Sequence, residues 1–145
     1  MAENLTDPEE VLLRQIHPNS LDGGEPASDR FRPSEADKNL LSVDRSSLTN
    51  AAKAHGLYTS GGRKSAAVFG LTVGEFGDAA IPCVEDVILK AVGVLANPAH
   101  ALADYSSHPL KQQKLIAKRL KRLAVARGCL YPVQDPAATA GATLA

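Results

Sequence analysis

The sequence predicts an α+β fold: a small mixed or antiparallel sheet with two or three helices, including a basic amphipathic helix near the C-terminus. Three observations carry this. Short strand-like runs do not alternate regularly with helices, as a parallel βαβ sheet would require. Residues 108–128 keep an unbroken helical period. The 145 residues, 44% of them apolar, suit one domain able to bury its own core. The expected boundaries are a flexible leader at 1–10, a single domain at 11–132 and a disordered tail at 133–145.

"LLRQIHP" (12–18) reads as a strand ended by Pro18. Alternation puts Arg14 on one face with Leu12 and Ile16, and Leu13, Gln15 and His17 on the other. An arginine between two apolar neighbours needs a carboxylate or another anion if its face is buried. His17, next to Pro18, falls at the rim. Residues 18–30 are dense in Pro, Gly, Asp, Asn and Ser, which marks a loop, and "RFRPS" (30–34) is short. "NLLSVD" (39–44) reads as a strand. A short helix follows over 46–58, with Ser46 or Ser47 as N-cap and Gly56 at the C-cap. "TSGGRKS" (59–65) is a turn without Walker spacing, although its backbone N–H groups can hold an anion.

"AAVFGLTVGEF" (66–76) is the strongest strand signal, and Gly70 and Gly74 within it mark a bulge or a close backbone approach. Residues 82–98 read either as a helix begun at Pro82 or as a lid loop near the first strand. "HALADYS" (100–106) is a strand. In the helix at 108–128, Pro109 suits the first turn and Gly128 the C-cap. Ile116, Leu120, Leu123 and Ala124 form its apolar stripe; Lys111, Lys114, Lys118, Lys121 and Arg122 cluster opposite.

The net charge of zero hides an asymmetry. Ten of the 16 acidic residues lie in 1–50, whereas 111–127 holds seven basic residues and no acid. That helix presents a positive stripe of roughly 25 Å. Such a stripe tracks the phosphates of nucleic acid or meets an acidic protein. The acidic N-terminus is unlike a signal peptide, and no apolar run reaches membrane-spanning length. Cys83 and Cys129 form no CxxC pair, which argues against a zinc site built on cysteine. With no export signal, a cytoplasmic protein with reduced thiols is expected, and the small size and plain composition suit a bacterial-type protein. The four histidines lack metal-ligand spacing, so no metal is expected. No GxSxG elbow is present, and Cys83 reads as a small core residue.

The order of pieces from "LLRQIHP" through "NLLSVDRSSLTNAAKAHG" to "AAVFGLTV" resembles the first half of an ADP-ribosyltransferase-like domain. The resemblance implies that Arg14 or His17 on the first strand, with Ser42 of "LSVD", supports NAD binding, and that Tyr58 is a stacking aromatic. In that family a late-strand Glu stabilises the oxocarbenium-like transition state. Here "HALADYS" offers Asp104 instead, which would take that role or mark a catalytically inactive relative.

The sequence therefore favours a small soluble binding or accessory protein that engages nucleic acid or an acidic partner through 111–127 and needs no cofactor. The alternative is the NAD-using transferase with Arg14, His17, Ser42 and Asp104 as its site. Oligomeric state and enzymatic activity are left open by these residues.

Overall fold

The computed structural model describes residues 3–132 and shows an α+β architecture. The expected tail at 133–145 lies outside the described residues. The first strand is β1 (Val11–Ile16). Two short strands, β2 (Leu21–Asp22) and β3 (Glu25–Pro26), make a hairpin whose turn residues Gly23 and Gly24 have φ of 62° and 83°. Positive φ at both positions is what a tight two-residue hairpin demands, and glycine supplies it without strain. A 3₁₀ turn at Ser28–Phe31 follows, then β4 (Leu40–Arg45), α1 (Ala51–Ser60), β5 (Ala67–Thr72), α2 (Val73–Asp78), β6 (Cys83–Glu85), β7 (His100–Asp104) and α3 (Leu110–Arg127).

The main sheet is antiparallel in the order β5-β1-β4-β7-β6. Alternation divides its faces. Leu12, Ile16, Leu41, Phe69 and Leu71 point into the larger core, against Ile116, Leu120 and Ala124 of α3. Leu13 and Val68 point the other way, against Ala54 of α1. With aromatics at only 4% of the chain, this core is mostly aliphatic. Phe31 and Tyr105 are its large buried anchors, and the Tyr105 hydroxyl donates to the Phe31 carbonyl.

Several elements differ from expectation for physical reasons. The first helix starts at Ala51, capped by the Asn50 side chain accepting from the Lys53 N–H at 2.9 Å. Ser47 is not a cap because its hydroxyl donates to Glu10 Oε2 at 2.5 Å. The helix runs through Gly56, and Gly61 holds the C-cap position. The strand expected over 66–76 stops at Thr72. Thr72 accepts from the Glu75 N–H at 3.0 Å and Glu75 accepts from the Thr72 N–H at 2.8 Å, a capping box that starts α2. At Gly70 a Cβ would lie 2.7 Å from side-chain atoms of Leu130 and Val11, so this glycine does mark a close approach.

Residues 82–98 form no helix. They contain β6 and then an arm closed by bridges Ile88–Asn97 and Ala91–Val94, with Gly93 at φ 73°. The β-branched residues there suit the pleated arm better than a helix. Residues 3–5, in the expected leader, lie along β6 through the Leu5 N–H to Cys83 carbonyl bond (2.9 Å) and the Glu85 N–H to Glu3 carbonyl bond (2.9 Å).

The two middle strands are joined at one end only. The β1–β4 register covers Leu12–Arg45 and Leu13–Asp44. Beside that end, Glu10, 7% exposed, accepts two hydrogen bonds from Arg45 at 3.0 Å each. Burial alone would raise the Glu10 carboxyl, but Arg45 and Ser47 outweigh it and hold it below the ordinary carboxylate range.

Candidate anion-binding cleft

Beyond Leu13 the gap between β1 and β4 is filled by the Arg14 side chain. Its Nε donates to the Arg30 carbonyl at 2.8 Å and its Nη1 to the Ser42 carbonyl at 3.0 Å. A guanidinium has five N–H donors, so three remain without a protein acceptor. Among the described residues no carboxylate lies within 4.0 Å of it. Burial pushes the Arg14 guanidinium below its ordinary value, and the charge of Arg30 adds to this. The sequence asks for an anion next to Arg14; the chain supplies two carbonyl dipoles in contact and only the more distant charge of Asp37.

Around Arg14 the cation excess grows. Arg30, Arg32 and Arg63 line the same small hollow of ≈ 210 Å³, against Asp29 and Asp37. Asp37 is engaged by the Ser34 N–H and hydroxyl at 3.0 and 2.7 Å. Arg30 Nε is buried with no hydrogen bond; Asp29 lies 3.5 Å away without the geometry of one. Arg63 sits over the Tyr58 ring at 5.4 Å, a cation–π distance. The "TSGGRKS" turn thus contributes Arg63 to the site.

Arg14, Ser42, Tyr58 and Arg63 also line a larger cavity of ≈ 410 Å³ on the α1 face of the sheet. Its floor includes Gln15 and Asp44, each 8% exposed. Leu57 of α1 forms one wall, and Val94 and Leu95 of the arm form another. Asp44 Oδ1 accepts from the Asn97 amide at 2.8 Å. His100, the cross-strand partner of Asp44, holds Asp86 Oδ2 at 2.9 Å through Nδ1. These two contacts tether the arm to the sheet.

Burial pushes the Asp44 carboxyl above its ordinary value, opposed by the Asn97 hydrogen bond and the nearby His100. A raised carboxyl means that the fold disfavours the charge. The penalty is present at neutral pH and is relieved as pH falls through the folded pKa. Asp44→Asn keeps an acceptor for Asn97 and is expected to stabilise the protein at pH 7 by about 0.5–2 kcal/mol. The gain should disappear at low pH. Urea unfolding of both proteins at pH 7 and pH 3.5 checks this; no gain at pH 7 refutes it.

Of the four residues in the transferase-like assignment, the structure brings Arg14 and Ser42 to the cleft, Ser42 through its carbonyl. His17 caps the 3₁₀ turn after β1, accepting from the Asn19 N–H at 3.1 Å. Asp104 sits at the end of β7 and accepts from the Ser106 N–H at 2.9 Å. Neither lines the cleft. Cys83 is buried and its thiol is pushed up to about 12, which keeps it from acting as a nucleophile. Among the described residues no His, Cys, Asp or Glu cluster could hold a metal ion. None of their helices is long and apolar enough to cross a membrane.

The basic residues of α3 lie across the sheet from this cleft. Lys111, Lys114, Lys118 and Arg122 are exposed, and among the described residues none has a carboxylate within 4.0 Å. Lys121 is half-buried and lies 3.8 Å from Glu25. Arg127 turns inward to Glu75 at 2.8 Å and the Gly70 carbonyl at 2.9 Å.

Gln15, Asp44, Asn97 and Arg30 were not among the residues singled out from the sequence, and His100 was weighed only as one of four histidines without metal-ligand spacing. One signal was present: Ser42 and Asp44 alternate on one face of a strand, so two polar groups share that face, Asp44 buried and Ser42 exposed. Comparison with protein-family models, curated proteins and solved structures gives no significant match.

Proposed function

We propose that this protein binds a small phosphate-type anion in the Arg14 cleft. One observation carries the proposal: a guanidinium sunk between two strands with three donors unmatched and no carboxylate beside it. Leaving such a charge uncompensated is costly, and an anion that takes its donors removes the cost. Arginine's planar fork matches phosphate oxygens in pairs. Pyrophosphate is expected to raise Tm by ligand linkage, with an effect that weakens as NaCl rises. No shift at millimolar pyrophosphate in low salt ends the proposal.

The transferase reading asks Arg14, His17, Ser42 and Asp104 to surround one nicotinamide. Two of the four lie away from the cleft, so binding is the function that the geometry supports better.

A second reading rests on α3. Lys111, Lys114, Lys118, Arg119 and Arg122, five exposed basic residues along one helix with no carboxylate within 4.0 Å among the described residues, favour a nucleic acid or an acidic protein at that surface. The two surfaces lie on opposite faces of the sheet, so they can be tested separately. Reversing Lys111, Lys114 and Lys118 to Glu is expected to abolish retention on an immobilised single-stranded oligonucleotide or an acidic peptide, while pyrophosphate binding persists. Unchanged retention on both overturns this reading.

A further inference from the structure

The polar floor of the cleft narrows the kind of anion. Gln15 is 8% exposed, and only one end of its carboxamide is held: Ser65 Oγ lies 2.7 Å from Oε1. Nε2 has no partner. Turning the amide over exchanges which end is orphaned and leaves one buried polar atom unmatched. That atom is closed to water-sized groups, so Gln15 shapes the floor of the cleft and offers no open hydrogen bond.

Asp44 offers a second unmet group on the same floor. Its Oδ1 is taken by Asn97, and Oδ2 accepts no hydrogen bond among the described residues. Asp44 lies opposite Leu13, so Gln15, two residues further along β1, is its diagonal neighbour on one face. Apolar side chains stand on either side of this floor, Leu57 from α1 and Leu95 from the arm. The cleft therefore offers two things together. Arg14 and Arg63 are cations at the mouth. Asp44 presents an acceptor between apolar walls.

We propose that the ligand is a nucleoside phosphate whose base carries an amino group. Its phosphate meets Arg14 and Arg63, and its base lies between Leu57 and Leu95. The amino group donates to Asp44. This rests on the anion reading of the cleft. The ≈ 410 Å³ cavity lies within the size range of small-molecule sites. Carboxylates and carboxamides are the side chains that read amino-bearing base edges. A carboxylate only accepts, so a keto group in the same place sets lone pair against lone pair.

Calorimetric titration of the full chain with AMP, CMP, IMP, UMP and pyrophosphate tests this. AMP is expected to bind about tenfold to a hundredfold more tightly than IMP, and CMP likewise than UMP, the value of one hydrogen bond to a charged group. Asp44→Asn, whose amide can also donate, should erase most of both preferences while pyrophosphate still binds. Equal affinities within both pairs, or preferences that survive Asp44→Asn, overturn the inference. Pyrophosphate binding without any nucleotide binding also overturns it and leaves the anion reading standing. If neither pyrophosphate nor nucleotide binds, both fall.

Discussion

Replacing Arg14 with methionine is expected to abolish pyrophosphate binding while the protein stays folded. The guanidinium bridges the Arg30 and Ser42 carbonyls in the gap between β1 and β4, lines the hollow, and keeps three donors without a protein acceptor among the described residues. Losing two charge-assisted hydrogen bonds to phosphate, at about 1.5–3 kcal/mol each, raises Kd by roughly two to four orders of magnitude. The effect on stability is smaller because two terms oppose. The Arg30 and Ser42 carbonyls lose their donor, but the fold no longer holds a half-buried charge beside Arg30. A net loss of about 1–2 kcal/mol in urea unfolding is expected. Arg14→Lys should fall between, since an ammonium keeps the charge but cannot span both carbonyls with a planar fork. Calorimetry and urea titration of the two variants separate binding from folding. A methionine variant that binds pyrophosphate as tightly as the parent refutes the assignment.

The second large effect is on stability. Phe31→Ala is expected to cost about 3–5 kcal/mol, as for other large aromatic deletions in cores. Phe31 is 0% exposed and belongs to the core cluster that includes α3 residues. Its carbonyl takes the Tyr105 hydroxyl. Against a total stability of about 5–15 kcal/mol, this loss brings the domain close to unfolding at room temperature. Phe31 also neighbours Arg30, whose carbonyl holds Arg14, and Arg32, so the variant should bind pyrophosphate more weakly even where it remains folded. The urea midpoint of Phe31→Ala checks the first part; a loss under about 1 kcal/mol would show that the turn packs less tightly than its burial implies.

What the sequence disclosed follows from how local each signal is. The helix at α3 was legible because its apolar stripe and basic face repeat over 18 residues, and Gly128 closes it at φ 100°. The strands β1, β4 and β7 were legible from alternation. The end of β5 was missed because Thr72 and Glu75 cap a helix inside a run that still looks apolar. The 82–98 segment was ambiguous because Val and Ile at helical spacing also fill a pleated arm. The site is non-local. Arg14, Arg30, Asp44 and Arg63 come from a strand, a 3₁₀ turn, a second strand and a turn after a helix, and no pattern in the chain announces that they meet. Arg14 itself stood out, as a cation between two apolar neighbours.

The half-joined sheet makes the domain resemble a clothes-peg. One jaw is β5 with β1, the other β4 with β7 and β6, and the spring is the short register beside Glu10 and Arg45. Arg14 sits in the open mouth. Glu10 and Arg45 line neither cavity; they clamp the jaws at the joined end. The cleft is therefore held from its back, by an ion pair outside the space proposed for the anion.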